Sequence, residues 1–280
     1  MNKRIRVPRW LSQEIAEYDI QNDFWSIRSI PNEIPPFSTT IYGDKVIGIA
    51  GGLDDNNPSK PSFMSQFFII KLTAESLYRT KYEVQNCSDM ITKRGCATGV
   101  FHYGHFYIFG GLNYVSKILK SCEKFCDSKW ASIADMKECR KNASALSMTS
   151  DSIYVFGGSS NNLPTVDSIE QYSVSANRWN LLKIRLPKAL CFLTTFKLDE
   201  KSLLILGGCT KERKSSQDTT KAFRSSKVWL FDILEPGFRR LANLEQPFMS
   251  LYPAFPVDDH SKGLRLILIN EDGGQITDTP

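Results

Sequence analysis

Long apolar runs are missing from this 280-residue sequence, and so is the order of residues that marks a secretion signal. A helix that crosses a bilayer needs about 20 consecutive apolar residues, and no run comes near that length. Residues 1–10 are rich in lysine and arginine, but no apolar segment follows them. The sequence therefore predicts a cytoplasmic protein with no membrane partner.

Histidine is also scarce, with only His102, His105 and His260 in the whole sequence. So few imidazoles provide no cluster of ligands for a metal ion. Cys122 and Cys126 form an isolated pair without the second half that a zinc site needs. The glycine-flanked serine motif of the hydrolases is absent too. We therefore predict no cofactor, no metal and no catalytic residue.

Cysteine content and net charge exclude two further classes of protein. The seven cysteines are odd in number, and several lie in apolar runs, as buried thiols do in a reducing compartment. A disulfide-stapled secreted fold is therefore not expected. The formal net charge is only +5, whereas nucleic-acid binding requires a concentrated basic face. No nucleic-acid partner is predicted.

The sequence does contain a repeat of roughly 50 residues, a period typical of propellers and solenoids. Four apolar runs end in a pair of glycines, and the first glycines of these pairs are Gly51, Gly110, Gly157 and Gly207. Pairs of large apolar residues also recur, at Tyr18 and Trp25, Ile70 and Leu77, Phe125 and Trp130, Tyr172 and Trp179, and Phe231 and Phe238. Each of these pairs predicts two short strands joined by a polar turn.

An arginine recurs in two of the repeats, downstream of the pair of large apolar residues. Asp89-Met90 precedes Arg94, and Asp135-Met136 precedes Arg140. Together with the glycine-ended strand and the run before it, these segments make a unit of four short strands without a long amphipathic helix. Such units predict an all-β fold that closes by radial repetition.

The unit resembles the kelch repeat, because the double glycine, the aromatic pair and the arginine occur together in it. The resemblance implies a kelch-type β-propeller, and counting the pairs gives five blades of four antiparallel strands, with six blades as the alternative. The chain opens and closes on half a unit, so we expect the N-terminal and C-terminal half-blades to pair. We predict a single domain over 1–280, with a flexible tail at 1–10 and a basic loop insertion at 210–227.

Two kinds of repeated residue are predicted to be structural. The glycine pairs suit places where a strand ends against a neighbouring backbone, and Trp25, Trp130 and Trp179 suit the space between blades. Arg94 and Arg140 allow two interpretations. Their guanidinium groups either bond to backbone carbonyls or a carboxylate within the blade, or bind an acidic peptide, as the resemblance implies.

Binding residues are expected in the loops that follow the glycine pairs, because loops on a rigid scaffold commonly carry function. The predicted partner-binding residues are Arg94, Arg140, Asn56, Asn57, Asn113, Tyr114, Asn161, Asn162, Lys211 and Arg213. The basic segment 210–227 is either a solvated insertion, a binder of an acidic partner, or a phosphate acceptor on Ser215, Ser216 or Ser225.

The resemblance implies a non-enzymatic module that binds another protein, as a scaffold or as a substrate-recognition subunit such as those that serve ubiquitin ligases. An acidic peptide segment is the predicted partner, and the sequence assigns no oligomeric state. Two alternatives stay open: a small-molecule enzyme on a kelch-like ring, such as a sugar mutarotase or an oxidase, and binding to the actin cytoskeleton.

Overall fold

A computed structural model describes residues 4–19, 22, 24–43, 45–54, 62–75, 80–114, 117–212, 221–250, 254–259, 263–269 and 276–279. Every helix or strand assigned in this part of the chain is a β-strand. The described residues accordingly include no helix that is long and apolar enough to cross a membrane. The predicted all-β fold is confirmed.

The first sheet has three antiparallel strands in chain order. They are β1 (Arg4–Pro8), β2 (Ser12–Asp19) and β3 (Phe24–Ile34).

The flexible tail predicted at 1–10 is therefore wrong for residues 4–8, which form β1. Ile5 and Val7 are buried, and Arg6 between them reaches the carboxylate of Glu17 on β2, with 3.3 Å between Nε and Oε1. This alternation of charged and apolar residues is a strand pattern. The sequence does not predict this strand, because arginine residues are also typical of a solvated tail.

Four further sheets each have four antiparallel strands in chain order, and the last of them has a fifth strand at its side. The first consists of β4 (Thr39–Tyr42), β5 (Val46–Ala50), β8 (Phe67–Glu75) and β9 (Thr80–Asn86). The second consists of β10 (Thr98–His102), β11 (His105–Phe109), β14 (Cys122–Cys126) and β15 (Lys129–Ile133). The third consists of β16 (Ser144–Thr149), β17 (Ser152–Phe156), β18 (Ser168–Ser173) and β19 (Arg178–Arg185). The fourth consists of β20 (Cys191–Lys197), β21 (Ser202–Glu212), β23 (Val228–Asp232) and β24 (Gly237–Arg240).

Short strands follow three of the glycine pairs, and they form two separate two-stranded sheets and one addition to the fourth large sheet. They are β6 (Leu53–Asp54) with β7 (Ser62–Phe63), β12 (Leu112–Tyr114) with β13 (Lys117–Ile118), and β22 (Lys221–Arg224), which pairs with β21. The last sheet consists of β25 (Phe255–Asp259), β26 (Gly263–Ile269) and β27 (Ile276–Thr279).

The fold is a five-bladed β-propeller, as the repeats predict. Four blades are the four-stranded sheets, and strands at the two ends of the chain remain for the fifth. The described pairings of those terminal strands lie within their own three-stranded sheets, so closure between the N-terminal and C-terminal half-blades stays a prediction.

The chain divides into two compact units. One comprises Met1–Ile108, Leu112–Lys117 and Glu123–Ser132, and the other comprises Phe109–Gly111, Ile118–Cys122 and Ile133–Pro280. The single domain expected over 1–280 stays a prediction.

The recurring aromatic pairs are cross-strand neighbours on the third and fourth strands of a blade. Tyr172 lies opposite Trp179, and their ring centroids are 5.0 Å apart. Trp179 is buried and also packs edge-on against Phe109 of the preceding sheet, which confirms its predicted place between blades. Trp25 packs against Tyr18 of its own sheet and keeps 36% of its surface exposed, so a place between blades stays a prediction for this residue.

The glycine pairs allow one sheet to press against the segment that begins the next. Gly157 has φ +59°, and a Cβ at this residue would lie 2.3 Å from the carbonyl oxygen of Leu190. The N–H of Gly158 donates to the same carbonyl oxygen at 2.8 Å. Since any side chain at Gly157 would collide with this oxygen, the contact requires glycine.

The same contact recurs at every glycine pair. A Cβ on the first glycine would collide each time with a backbone carbonyl oxygen of the segment that begins the next sheet. This oxygen belongs to Arg94 for Gly51, to Arg140 for Gly110, and to Phe248 for Gly207. In each case the second glycine donates its N–H to that carbonyl. The predicted structural role of the glycine pairs agrees with this geometry.

Replacing Gly157 by alanine is expected to lower the free energy of unfolding by about 3–5 kcal/mol, because left-handed strain and a backbone collision add up. Urea denaturation of the purified protein measures this loss. The matched control is Gly104→Ala, since Gly104 also has positive φ (+84°) but no atom within 4 Å of the added methyl. The control should lose only about 1–2 kcal/mol of strain, and equal losses at the two sites would contradict the collision.

Candidate functional site

Arg140 lies in the segment between β15 and β16 and is fully buried with Glu170 of β18. Its Nη2 donates to Oε1 of Glu170 at 2.7 Å and to the Ser168 hydroxyl at 3.1 Å. Its Nη1 donates to the backbone carbonyls of Gly157 at 2.9 Å and Ser168 at 3.2 Å. The guanidinium group thus ties the start of the third blade to two of its inner strands.

The carboxylate of Glu170 also holds the turn that leads to the arginine. It accepts backbone N–H groups from Lys137 at 2.7 Å and Glu138 at 3.1 Å. A carboxylate that receives two backbone donors and a guanidinium has its hydrogen-bonding capacity largely filled. The recurring segment before the arginine is therefore a turn built around this one carboxylate.

The second blade repeats the arrangement with different residues. Nη2 of Arg94 donates to Oε1 of Glu123 at 2.6 Å, and both side chains are buried. Glu123 accepts the backbone N–H groups of Ile91 at 2.8 Å and Thr92 at 3.0 Å. Because the second and third blades form the same turn, the arginine–glutamate pair is a feature of the repeat and not of one blade alone.

This geometry matches the first interpretation of Arg94 and Arg140, in which a blade carboxylate and backbone carbonyls take up the guanidinium group. Both arginines are no more than 1% exposed, so neither presents its fork to an approaching peptide. A partner-binding role for them stays a prediction that the geometry does not favour.

The sequence reasoning missed Glu123 and Glu170. A signal was present, because each glutamate stands two residues before the first aromatic of its pair, and only in the units that contain the arginine. The joint occurrence of the two residue types could have predicted the ion pair.

The loops after the glycine pairs are each closed by a bond to the second glycine. The carbonyl oxygen of Gly158 accepts the N–H of Val166 at 2.9 Å, and that of Gly208 accepts the N–H of Ser225 at 2.8 Å. In the same way, the carbonyl oxygen of Gly52 accepts the N–H of Met64, and that of Gly111 accepts the N–H of Leu119, both at 2.8 Å. The scaffold therefore presents loops of different length from equivalent, fixed points.

The predicted loop residues differ in their contacts and in their exposure to solvent. Asn161 is tied down, because its Oδ1 accepts the N–H of Ile118 at 3.2 Å and its Nδ2 lies 3.4 Å from the sulfur of Cys139. Asn162 is exposed beside Leu163, which is 54% exposed.

Asn113 lies half-buried on β12, and Tyr114 is the last residue of that strand. Lys211 lies on β21. Asn56, Asn57 and Arg213 lie outside the described residues. The structure therefore does not bring the predicted binding residues together into one described cluster.

The basic segment at 210–227 is not only a loop. β21 continues through its glycine pair as far as Glu212, and β22 returns along it, with Thr210 opposite Phe223 and Lys211 opposite Ala222. Phe223 is 39% exposed, and Arg224 next to it is exposed as well. We call β21 beyond Gly208 together with β22 the basic hairpin. Sequence reasoning missed its strands because lysine and arginine are not strand signals.

No group of three histidine, cysteine, aspartate or glutamate side chains is arranged to hold a metal ion in the part of the chain that the structure describes. His102 is buried against the rings of Tyr103 and Tyr107. Burial raises the pKa of the Tyr107 hydroxyl, and the nearby ammonium of Lys124 counteracts it. These contacts are typical of packing side chains.

Comparison with known proteins agrees with the repeat. The family described as Kelch motif matches residues 93–137 and 140–183, the segments that contain the two arginine–glutamate pairs. β-Scruin of Limulus polyphemus is 24% identical over 209 residues, which cover 71% of this chain and 21% of β-scruin. The chain thus spans about a fifth of the length of that relative.

Among solved structures, the one described as "Structure of YjhT" is similar, with a TM-score of 0.72 over 96% of this chain and 87% of that chain. The two sequences are 14% identical, so the likeness concerns the fold alone.

Removing the buried arginine tests its structural role. Arg140→Met is expected to lower the free energy of unfolding by about 3–5 kcal/mol, because Glu170 is left charged and buried without its partner. Denaturant unfolding measures the loss. The control is Arg185→Met, whose guanidinium lies 3.9 Å from Asp167 with both side chains about half exposed, and which should change stability by less than about 1 kcal/mol. A similarly small effect at Arg140 would argue for a surface role instead.

Proposed function

Because two repeats of the chain match the kelch motif and the fold is a five-bladed β-propeller, we propose that the chain is a non-enzymatic, cytoplasmic module that captures an acidic segment of a partner protein. The proposed binding surface is the basic hairpin of the fourth blade. A kelch fold alone does not name a partner, because one fold serves many functions. The proposal therefore depends on what distinguishes this blade from the others.

The observation that carries the proposal is that β21 alone among the glycine-ended strands continues past its glycine pair. β5, β11 and β17 end at Ala50, Phe109 and Phe156, immediately before their glycines, whereas β21 extends to Glu212 and gains β22 as a partner. A paired extension is more rigid than an unpaired loop, so its side chains lose less entropy on binding.

The basic hairpin and its connecting residues are strongly cationic. Between residues 209 and 227 the sequence contains Lys211, Arg213, Lys214, Lys221, Arg224 and Lys227. Only Glu212 and Asp218 oppose them. Such a local excess of positive charge attracts acidic partners and speeds their association.

An exposed aromatic side chain next to an exposed arginine supplies the short-range part of recognition. Aromatic residues and arginine are enriched among the residues that contribute most to binding energy. Phe223 and Arg224 provide this combination on β22. Because successive residues of a strand point to opposite faces, these two side chains offer their contacts on opposite faces of the hairpin.

A non-enzymatic role is supported by how the buried ionisable groups are used. Arg94, Arg140, Glu123 and Glu170 take part in internal hydrogen bonds that build the repeat. The cytoplasmic location is supported by the cysteines, all seven of which lie in the described part of the chain and none of which is in a disulfide.

The first test uses a synthetic peptide rich in aspartate and glutamate as the probe. Arg224→Glu is expected to weaken its binding by about five- to tenfold, as loss of roughly 1–1.4 kcal/mol implies, and the affinity of the wild-type protein should fall with added salt. Fluorescence polarisation gives both values. The matched control is Arg239→Glu, the same charge change on exposed β24 of the same blade. Equal weakening by both variants would contradict a site on the hairpin.

Affinity purification followed by mass spectrometry, with the same three proteins as bait, identifies the natural partner. A partner that wild type and Arg239→Glu retain, but Arg224→Glu loses, supports the proposed surface. Recovery of ubiquitin-ligase components would specify a substrate-recognition role. Co-sedimentation with filamentous actin and turnover of a sugar substrate test the cytoskeletal and enzymatic alternatives directly.

A further inference from the structure

Two cysteines of the fourth blade face each other across adjacent strands. Cys191 is the first residue of β20, and Cys209 follows the glycine pair on β21, directly opposite in the register. Their sulfur atoms are 3.3 Å apart, and both residues are at most 1% exposed. This distance is a contact between two thiols, well beyond the roughly 2.05 Å of a disulfide bond.

The repeat explains why these two positions are opposed. In the second blade the equivalent residues are Gly95 and Leu112, which exchange backbone bonds of 3.0 and 2.8 Å. In the third blade they are Lys141 and Ser159, again bonded reciprocally at 3.0 and 2.8 Å. Residues that exchange both bonds have Cα atoms about 5.5 Å apart, which is within the range that a disulfide accommodates.

The fourth blade is the one in which both positions contain a thiol. Neither the second nor the third blade has cysteine at either of them. The contact does not require cysteine, since the other two blades place glycine with leucine and lysine with serine at these positions. Two cysteines at this spacing instead place a complete dithiol at the base of the basic hairpin.

We propose that Cys191 and Cys209 form an oxidisable dithiol that closes to a disulfide when the protein encounters hydrogen peroxide. One thiolate attacks a peroxide oxygen, which gives a sulfenic acid and releases one water after proton transfer. The second thiol then attacks that sulfur, the S–S bond forms, and the sulfenic oxygen leaves as a second water. The two thiols together lose two electrons and two protons, which reduce the peroxide to two waters.

The disulfide fixes the base of the basic hairpin to β20. Cys209 pairs with Cys191 on one side and with Arg224 of β22 on the other. A covalent link at this residue restrains the strand from which the hairpin extends. Because both thiols are buried, the peroxide gains access through local opening of these strands, and the reaction is slow. The inference stands independently of the proposed acidic partner.

The test is peptide mapping of the wild-type full chain after treatment with hydrogen peroxide. Remaining thiols are blocked with N-ethylmaleimide in denaturant, and the digest is analysed without reduction. A peptide pair joined through Cys191 and Cys209, about 2 Da lighter than the separate peptides, is expected and should revert with dithiothreitol. The melting temperature should rise by roughly 5 °C on oxidation, and amide exchange in β22 should slow.

Cys126→Ala is the matched control, because Cys126 is a half-buried thiol of the second blade and should leave the mapped disulfide unchanged. Cys209→Ala should abolish the rise in melting temperature. If that variant fails to fold, the mapping of the wild-type protein still decides the question. Recovery of both cysteines as alkylated thiols, their pairing with other cysteines, or pairing in denatured protein only would overturn the proposal.

Discussion

The close approach of a glycine pair to the carbonyl that begins the next segment is the constraint on which the blades depend. The second glycine donates its N–H to this carbonyl, and the first leaves room for it only because it has no side chain. Gly157 and Gly158 against Leu190 are one of four copies. The contact joins the end of one inner strand to the start of the following sheet, so it determines how each blade connects to the next. The glycine pairs recur in the sequence because every such connection requires them.

The same segment can be secured by a charged pair or by apolar packing. Arg140 and Glu170 hold it in the third blade, whereas the equivalent positions of the fourth blade contain Leu190 and Trp229, which belong to one apolar cluster. Replacing a buried ion pair by apolar side chains is often neutral or stabilising. The ion pair is therefore one of two workable solutions, and what it adds is the order of the turn whose N–H groups the carboxylate receives.

The sequence predicts the features that depend on distinctive residue patterns, such as the glycine and aromatic pairs. It does not predict the features that are built from residues common on any protein surface, such as glutamate, lysine and arginine. Glycine pairs and aromatic pairs predict the propeller because few other structures require them at a period of roughly 50 residues. Glu170 was overlooked because a lone glutamate in a strand usually faces solvent, and its burial depends on an arginine that lies 30 residues away. The strands β1 and β22 were overlooked for a related reason, since their cations suggested solvated chain while their hydrogen-bonding partners lie elsewhere in the sequence.

The bonds that close each loop onto its second glycine make these loops interchangeable in length. Val166 returns to Gly158 after a short excursion, and Ser225 returns to Gly208 after one about twice as long, yet both end in the same hydrogen bond. Doubling a flexible loop costs only about 0.6 kcal/mol of closure entropy. Insertions at these four points are therefore nearly neutral for the scaffold, so the propeller can acquire or lose recognition segments there while its blades stay unchanged.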